Sequence, residues 1–276
     1  MLKRLSSWHS NPVYTVETLR RMETAAAGSL PPHTLMQRAG KAVARLAQAR
    51  FPHARRIVVL AGTGNNGGDG LIAAVQLRQA GRDVHVLACG AASLDDWISR
   101  LPEDAAWAWG EAQAARLPCS AIRQADALPA ADLYLDALLG LGLTGPVREQ
   151  TATVILALNA QIQTPVLSVD LPSGLDADRG VFHNVCVHAT VTLSLLGLKP
   201  GACTGPAAPL CGELWSDDLD AVAHTATADV RHTTARLGRD KAGPLLPNLA
   251  RAAHKGQRGD VRVIGGAAGM TGAALL

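Results

Sequence analysis

Apolar residues recur along this chain in two rhythms. Across residues 15–50, TVETLRRMETAAAGSLPPHTLMQRAGKAVARLAQAR, they fall at helical spacing with a break at GSLPPHT, which predicts two helices. In the second, Leu35, Ala39, Val43 and Leu46 share one face suited to packing on a sheet, with Arg38, Lys41 and Arg45 turned outward. Further on the rhythm changes to short unbroken runs: RRIVVLAG (55–62), DVHVLACG (83–90), ADLYLDALLG (131–140), TPVLSVDLPSG (164–174) and HATVTLSLLG (188–197). Each is bounded by Gly, Pro or Asp and is too short for a buried helix, so each reads as a strand followed by a crossover helix. Continuous rather than alternating apolar character means strands buried on both faces, hence a mainly parallel sheet. The expected fold is α/β, three-layered and Rossmann-like.

Residues 217–253 are polar and rich in Ala, Thr and Arg, with Pro244 and Pro247 near their end, and read as a sheet edge followed by a linker. Beyond them HKGQRGDVRVIGGAAGMTGAALL offers a new strand, DVRVIGG, leading into a second glycine-rich turn. The expected division is one unit over 1–222, a linker over 223–253 and the opening of a second unit over 254–276.

Composition narrows the partners. With 48% apolar but only 3% aromatic residues, the core must be built from Ala, Val, Leu and Ile. A formal charge of +3 from 26 basic and 23 acidic residues provides no basic stripe for nucleic acid. Cys89, Cys119, Cys186, Cys203 and Cys211 are scattered without a CxxC pair, as in a cytoplasmic protein with reduced thiols. The N-terminus MLKRLSSWHSN lacks the apolar core of a secretory signal, and no segment reaches the ~18 apolar residues of a membrane span.

The stretch AGTGNNGGDG (61–70) poses the chemical question. Gly62, Gly64 and Gly67 satisfy GxGxxG between a strand and the helical run DGLIAAVQLRQAG. The dinucleotide fingerprint also needs an acid after the second strand, but that strand ends in LACG, with Asp83 before it. A P-loop fails because Gly68 and Asp69 stand where Lys and Ser or Thr are required. Read alone, the stretch is either a ligand-binding loop or merely a tight turn after which Asp69 charges the first turn of the next helix.

Other strand ends shift the balance toward a site. Ligands of parallel sheets bind outside the carboxyl ends of strands. Those ends carry Asn65 and Asn66, Asp136 before GLGLTGP, Asp170 before LPSG, and Lys199 in GLKPG. Asp136 and Asp170 each follow an apolar strand directly and are either loop caps or desolvated carboxylates. Lys199 is one of five lysines in an arginine-rich chain, and lysine, unlike arginine, can take part in proton transfer.

The ordered set LMQRAG, NNGGDGL, DALLGLGLTGPVR, VDLPSGLDAD and GLKPG resembles the NAD(P)H-hydrate epimerases, the YjeF N-terminal domain family, from about Tyr14 to about Asp218. The resemblance implies exchange of the R and S forms of hydrated NADH and NADPH, so that a stereospecific dehydratase can restore the cofactor. It implies that Asn65, Asn66, Gly67, Gly68 and Asp69, with Gly140, Leu141, Gly142, Leu143, Thr144, Gly145 and Pro146, contact the dinucleotide. It implies a potassium ion on Asn66, Asp136 and Ser173, and Asp170 facing the damaged ring and paired with Lys199 in catalysis. Hard oxygen ligands suit such a cation. The expected mechanism has the Asp–Lys pair donate and recover a proton while ring nitrogen expels the hydroxyl as water. The resemblance also suggests a homodimer acting on a small molecule, and the cysteine usage with the missing secretory signal suggests the cytoplasm.

The C-terminal HKGQRGDVRVIGG resembles the start of the ADP- or ATP-dependent NAD(P)H-hydrate dehydratase, a ribokinase-like domain fused behind many bacterial epimerases. Only a strand and one turn are covered, so no dehydratase activity is expected from these residues. His183, Cys186 and His188 match no standard zinc spacing. Trp97, Trp107 and Trp109 read as a helical packing cluster. Two rivals stay open: a non-catalytic nucleotide-binding or interaction module of the same fold, and an NAD-dependent oxidoreductase.

Overall fold

The computed structural model describes residues 2–6, 9–122, 128–221, 223, 234–236 and 238–242. The proposed second unit over 254–276, with its strand DVRVIGG, lies outside the described residues, as does most of the expected linker.

The two helices expected over 15–50 are α1 (Val16–Ala27) and α2 (Thr34–Arg50), preceded by the short strands β1 (Lys3–Arg4) and β2 (Asn11–Val13). Thr15 caps α1 by accepting from the Thr18 N–H, and Gly28 ends it. The repeating unit then begins: β3 (Arg56–Ala61), α3 (Asn65–Gln79), β4 (Asp83–Ala88), α4 (Leu94–Ser99), α5 (Glu103–Ala114), β5 (Cys119–Ala121), β6 (Leu133–Ala137), α6 (Glu149–Asn159), β7 (Val166–Val169), β8 (Val191–Leu195) and β9 (Glu213–Asp217). All the apolar runs read as strands are strands, namely β3, β4, β6, β7 and β8. Past β9, β10 (Thr234–Arg236) pairs antiparallel with β2, so part of the stretch expected to be linker folds back onto the N-terminal segment, followed by the single turn α7 (Arg239–Ala242).

The eight-stranded sheet runs β1-β9-β8-β7-β6-β3-β4-β5, parallel throughout except for β1 on β9. The chain builds outward from β3 to β5 and then returns to the other side of β3 with β6. That reversal between β3 and β6 is the switch point at which doubly wound sheets open a crevice.

Both faces are covered. Ile57, Val59, Ala61, Leu133 and Leu135 join one apolar cluster with α2, α3 and α5, whereas Val58, Leu60 and Tyr134 join another with Val154, Ile155 and Leu158 of α6. Alternate residues of one strand thus serve opposite layers, which is why the strands carry no polar face. Each fully buried Val, Leu or Ile contributes about 1.5–3 kcal/mol to the folded state.

The α2 face is wider than its spacing suggested. Ala39, Val43 and Leu46 are buried as expected, but Met36, Ala42, Ala44 and Ala47 are buried as well. Arg38 does not turn outward; its guanidinium donates to the Leu219 carbonyl at 2.8 Å, tying α2 to the chain after β9. Lys41 and Arg45 are exposed.

Trp97 and Trp109 pack edge to face at 5.8 Å, with Trp97 Nε1 donating to the Ala61 carbonyl. Trp107 leaves that pair and stacks on His33 at 4.6 Å, while His33 Nδ1 meets Asp104 at 2.6 Å. All five cysteines are free thiols. Among the described residues no helix is long and apolar enough to cross a membrane.

Candidate active site at the carboxyl ends of the sheet

The stretch Asn65–Asp69, expected as a loop, is the opening of α3 itself. Its glycines are there for closeness. A Cβ on Gly62 would lie 1.9 Å from the Leu138 carbonyl oxygen, and one on Gly67 would lie 2.0 Å from the Gly62 carbonyl oxygen. Only bare backbone lets α3 start flush against the ends of β3 and β6. No side chain caps α3, leaving its first N–H groups available to an acceptor from outside.

Beside that turn, Asp136, next to last in β6, is fully buried. Its register partner on β7 is Ser168. Ser168 Oγ donates to Asp136 Oδ2 at 2.8 Å, the Ser173 N–H to Oδ2 at 2.9 Å, Ser173 Oγ to Oδ1 at 2.5 Å, and the Leu138 N–H to Oδ1 at 3.4 Å. Burial pushes the Asp136 carboxyl above the usual range, and the donors from Ser173, Ser168 and Leu138 hold it down. Asn66 joins from α3, its Nδ2 donating to the Leu139 carbonyl at 3.0 Å, and Leu139 is bridged to Ser173 Oγ. The structure therefore brings Asn66, Asp136 and Ser173 to one spot around Leu139. One carboxylate, one hydroxyl, amide oxygen and a backbone carbonyl form a hard, singly charged donor set, which fits a monovalent cation.

Next along the sheet, Asp170 follows β7 with φ 70°, a left-handed backbone that Asp tolerates better than most residues. Its N–H reaches Leu193 O at 2.8 Å, and its Oδ1 accepts from the Leu195 N–H at 3.1 Å. Leu196, at the end of β8, also has positive φ, 64°, a costlier departure for a branched apolar side chain. That bend returns the chain so that Lys199 points back at Asp170.

Lys199 is 0% exposed and Asp170 7% exposed. The Lys199 ammonium donates to Asp170 Oδ1, to Ser194 Oγ at 3.2 Å and to Leu195 O at 2.7 Å. An ammonium has three N–H donors, so all of them are consumed inside the protein. Among the described residues nothing donates to Asp170 Oδ2. Strained backbone and a buried ion pair together mark a built site.

Asp69, in the second turn of α3, differs from both neighbours: no described residue donates to its carboxylate. Its oxygens remain open to the outside, since no buried side-chain oxygen or nitrogen lacks a partner among the described residues. Burial of its surroundings raises the Asp69 carboxyl well above 3.8, helped by repulsion from Asp170, Glu23 and Asp104 and opposed by Lys199.

A groove of about 460 Å³ runs from the 141–145 loop. Leu141, Leu143, Thr144 and Gly145 line it opposite Val16 and Arg20 of α1, with the 176–179 turn and His183 completing it. Gly140, Gly142 and Pro146 of the same loop do not line it, nor do Asp170 and Lys199. Asp176 Oδ1 accepts the Asp178 and Arg179 N–H groups, and Asp178 Oδ1 accepts the Val16 N–H. The guanidiniums of Arg20 and Arg179 donate to none of the described residues. His183 lines this groove while Cys186 is buried in the core, its thiol pushed up by burial.

Ser168, Ser194, Leu139, Arg20 and Arg179 belong to the site without being singled out by any motif in the sequence. The two serines had a signal: each is a polar residue inside an unbroken apolar strand. The arginines had none, because only the fold brings 20 and 179 together.

A model of the family described as YjeF-related protein N-terminus matches residues 32–201. The bifunctional NAD(P)H-hydrate repair enzyme Nnr of Coxiella burnetii (strain RSA 493 / Nine Mile phase I) is 37% identical over 262 residues, 95% of this chain and 52% of that protein. Its counterpart of the same name in Escherichia coli (strain K12) is 34% identical over 270 residues, 95% of this chain and 49% of that one. The chain spans about half the length of these relatives. The crystal structure of yeast ynu0, YNL200c, matches with a TM-score of 0.60 at 24% identity, over 69% of this chain and 82% of that one, and shares the fold. The family match over 32–201 covers more than half of the 276 residues, so this chain belongs to the YjeF-related N-terminus family.

Proposed function

We propose that this chain is an NAD(P)H-hydrate epimerase, exchanging the R and S forms of hydrated NADH and NADPH. The observation that carries the reading is the Asp170–Lys199 pair set beside the Asn66–Asp136–Ser173 oxygen cluster, at the switch point of a chain whose relatives are named as NAD(P)H-hydrate repair enzymes. The damaged ring carries a hydroxyl next to its nitrogen. Loss of that hydroxyl as water leaves a planar cation that water can attack from either face. Asp170, whose Oδ2 accepts from no described residue and whose backbone is locked, stabilises the developing positive charge without reorganising. Lys199 holds it in place.

Asn66, Asp136 and Ser173 would hold a potassium ion, which would supply a fixed charge to orient the substrate. Asn65 to Asp69 and the 140–146 loop would bind the dinucleotide, with the Arg20–Arg179 groove receiving its phosphate-bearing part. Residues 1–222 would form this epimerase unit and 254–276 the opening of a ribokinase-like dehydratase. The reading includes a cytoplasmic homodimer.

The test is direct. R-NADPHX incubated with the purified chain and potassium, and followed by chromatography that separates the epimers, should equilibrate to the R/S mixture well ahead of a protein-free control. Equal rates with dinucleotide bound would favour the non-catalytic binding module.

A further inference from the structure

Resting on that reading, we propose that Asp69 is the proton donor that expels the hydroxyl, and that Lys199 is a positioning residue which never exchanges a proton with substrate. The carboxylates at the mouth of the sheet differ in what each is already bonded to. Asp136 accepts from Ser168, from Ser173 through both its nitrogen and its hydroxyl, and from Leu138. Asp170 accepts from Lys199 and the Leu195 N–H. Asp69 accepts from no described residue, so both of its oxygens are left open, whereas Asp170 keeps only Oδ2 open and is already charge-paired through Oδ1.

Lys199 fails as a donor on geometry. It is 0% exposed, and its three N–H groups go to Asp170, Ser194 and Leu195. Delivering a proton would require it to break buried bonds and reach past Asp170. Asp69 has no bond to a described residue to break. α3 lies against β3, which leads into Gly62, against β6, which carries Asp136, and against β7, which leads into Asp170. The charged groups around Asp69 are Asp170 after β7, Glu23 on α1, Asp104 on α5 and Lys199 after β8. Three of these four are anionic, and together with burial they keep the Asp69 carboxyl protonated to higher pH than an ordinary aspartate.

The step balances. The Asp69 O–H proton passes to the substrate hydroxyl, the C–O bond breaks with its electron pair leaving on water, and the ring-nitrogen lone pair forms the C=N bond of the planar cation. In return, water adds to either face, the C=N pair goes back to nitrogen, and the water proton goes to the Asp69 carboxylate. No other reactant is consumed.

The experiment compares wild type, Asp69→Asn, Asp69→Glu and Lys199→Arg in the epimer exchange assay across pH 5 to 9. Asp69→Asn should lose on the order of 10²-fold or more in kcat, beyond any rise in KM from its place in the dinucleotide-binding stretch. It should also lose the alkaline fall in rate that wild type shows, and Asp69→Glu should restore part of both. Asp69→Asn with wild-type kcat, or with a raised KM alone, overturns the proposal. So does an alkaline limb that survives the substitution. If Lys199→Arg folds and retains the alkaline limb at a lower rate, its positioning role stands; a shifted limb overturns it. Failure of wild type itself to exchange epimers would strike the functional reading instead.

Discussion

Lys199 Nζ and Asp170 Oδ1 meet in a buried ion pair reached only because the chain turns through two left-handed residues, Asp170 at the end of β7 and Leu196 at the end of β8. The pair has more buried polar support on the lysine side, from Ser194 and Leu195, than on the aspartate side. It is held from behind and open in front.

That asymmetry predicts the cost of breaking the pair. Lys199→Met leaves Asp170 without its counter-charge and should destabilise the fold by about 3–5 kcal/mol, whereas the double variant with Asp170→Asn should recover part of the loss. Urea unfolding of the three proteins measures both effects. A Lys199→Met protein as stable as wild type would mean that the pair is not formed in solution.

Close approach at the switch point makes a second prediction. Gly62→Ala places a methyl group 1.9 Å from the Leu138 carbonyl oxygen, so the end of β6 must move. The expected cost is about 1–3 kcal/mol. Because Asp136 lies two residues before Leu138, epimer exchange should fall as well. Thermal melts and the exchange assay on one preparation check the two together.

The oxygen cluster around Leu139 predicts cation dependence. Replacing potassium by N-methylglucamine should slow epimer exchange, and restoring potassium should reverse it. Ser173→Ala removes both a cluster oxygen and a donor to Asp136, so the potassium needed for half-maximal rate should rise by about 10–100-fold, at least the cost of losing a supporting group around a metal. Indifference to potassium in wild type would remove the cation from the account.

In the groove, Arg20→Ala and Arg179→Ala should each raise KM about tenfold with kcat held, the lower end for a charge-assisted hydrogen bond. The increase should shrink at high salt, where exposed charges are screened. Steady-state kinetics at two salt concentrations distinguish this from general damage.

Asp69 also leaves a stability signature. Its carboxyl is raised above 3.8 in the folded state. A raised carboxyl contributes stability that is full below the unfolded value and is lost as pH rises through the folded one. Asp69→Asn escapes that loss. Its melting temperature should exceed that of wild type at pH 8, and the gap should close toward pH 4. A gap that stays constant with pH would mean that Asp69 is not raised.

Much of this was legible in the chain itself. The strands announced themselves because burial on both faces demands unbroken apolar runs, and Asp136 and Asp170 stood out because a carboxylate directly after such a run is either bonded or used. Other features depend on distances in space. The Ser173–Asp136 contact closes over 37 residues through the register of β6 and β7. Nothing local in GLKPG says that Lys199 is sealed off, since that follows from the bend at Leu196. Asn65–Asp69 read as a loop because glycine is a poor helix former, yet contact with Gly62, Met36 and Ala137 requires glycine within α3. Arg38 read as outward because helical spacing takes no account of the segment after β9.

The measurement that bears most directly on the central claim places wild type and Asp170→Asn side by side. R-NADPHX, potassium and an independent S-specific dehydratase are supplied in excess, and NADPH recovery is followed by absorbance. Wild type should recover NADPH far faster than the protein-free control, and Asp170→Asn, folded by its thermal melt, should fall back to the control rate. Equal recovery by the two proteins would contradict the assignment of the chemistry to the end of β7.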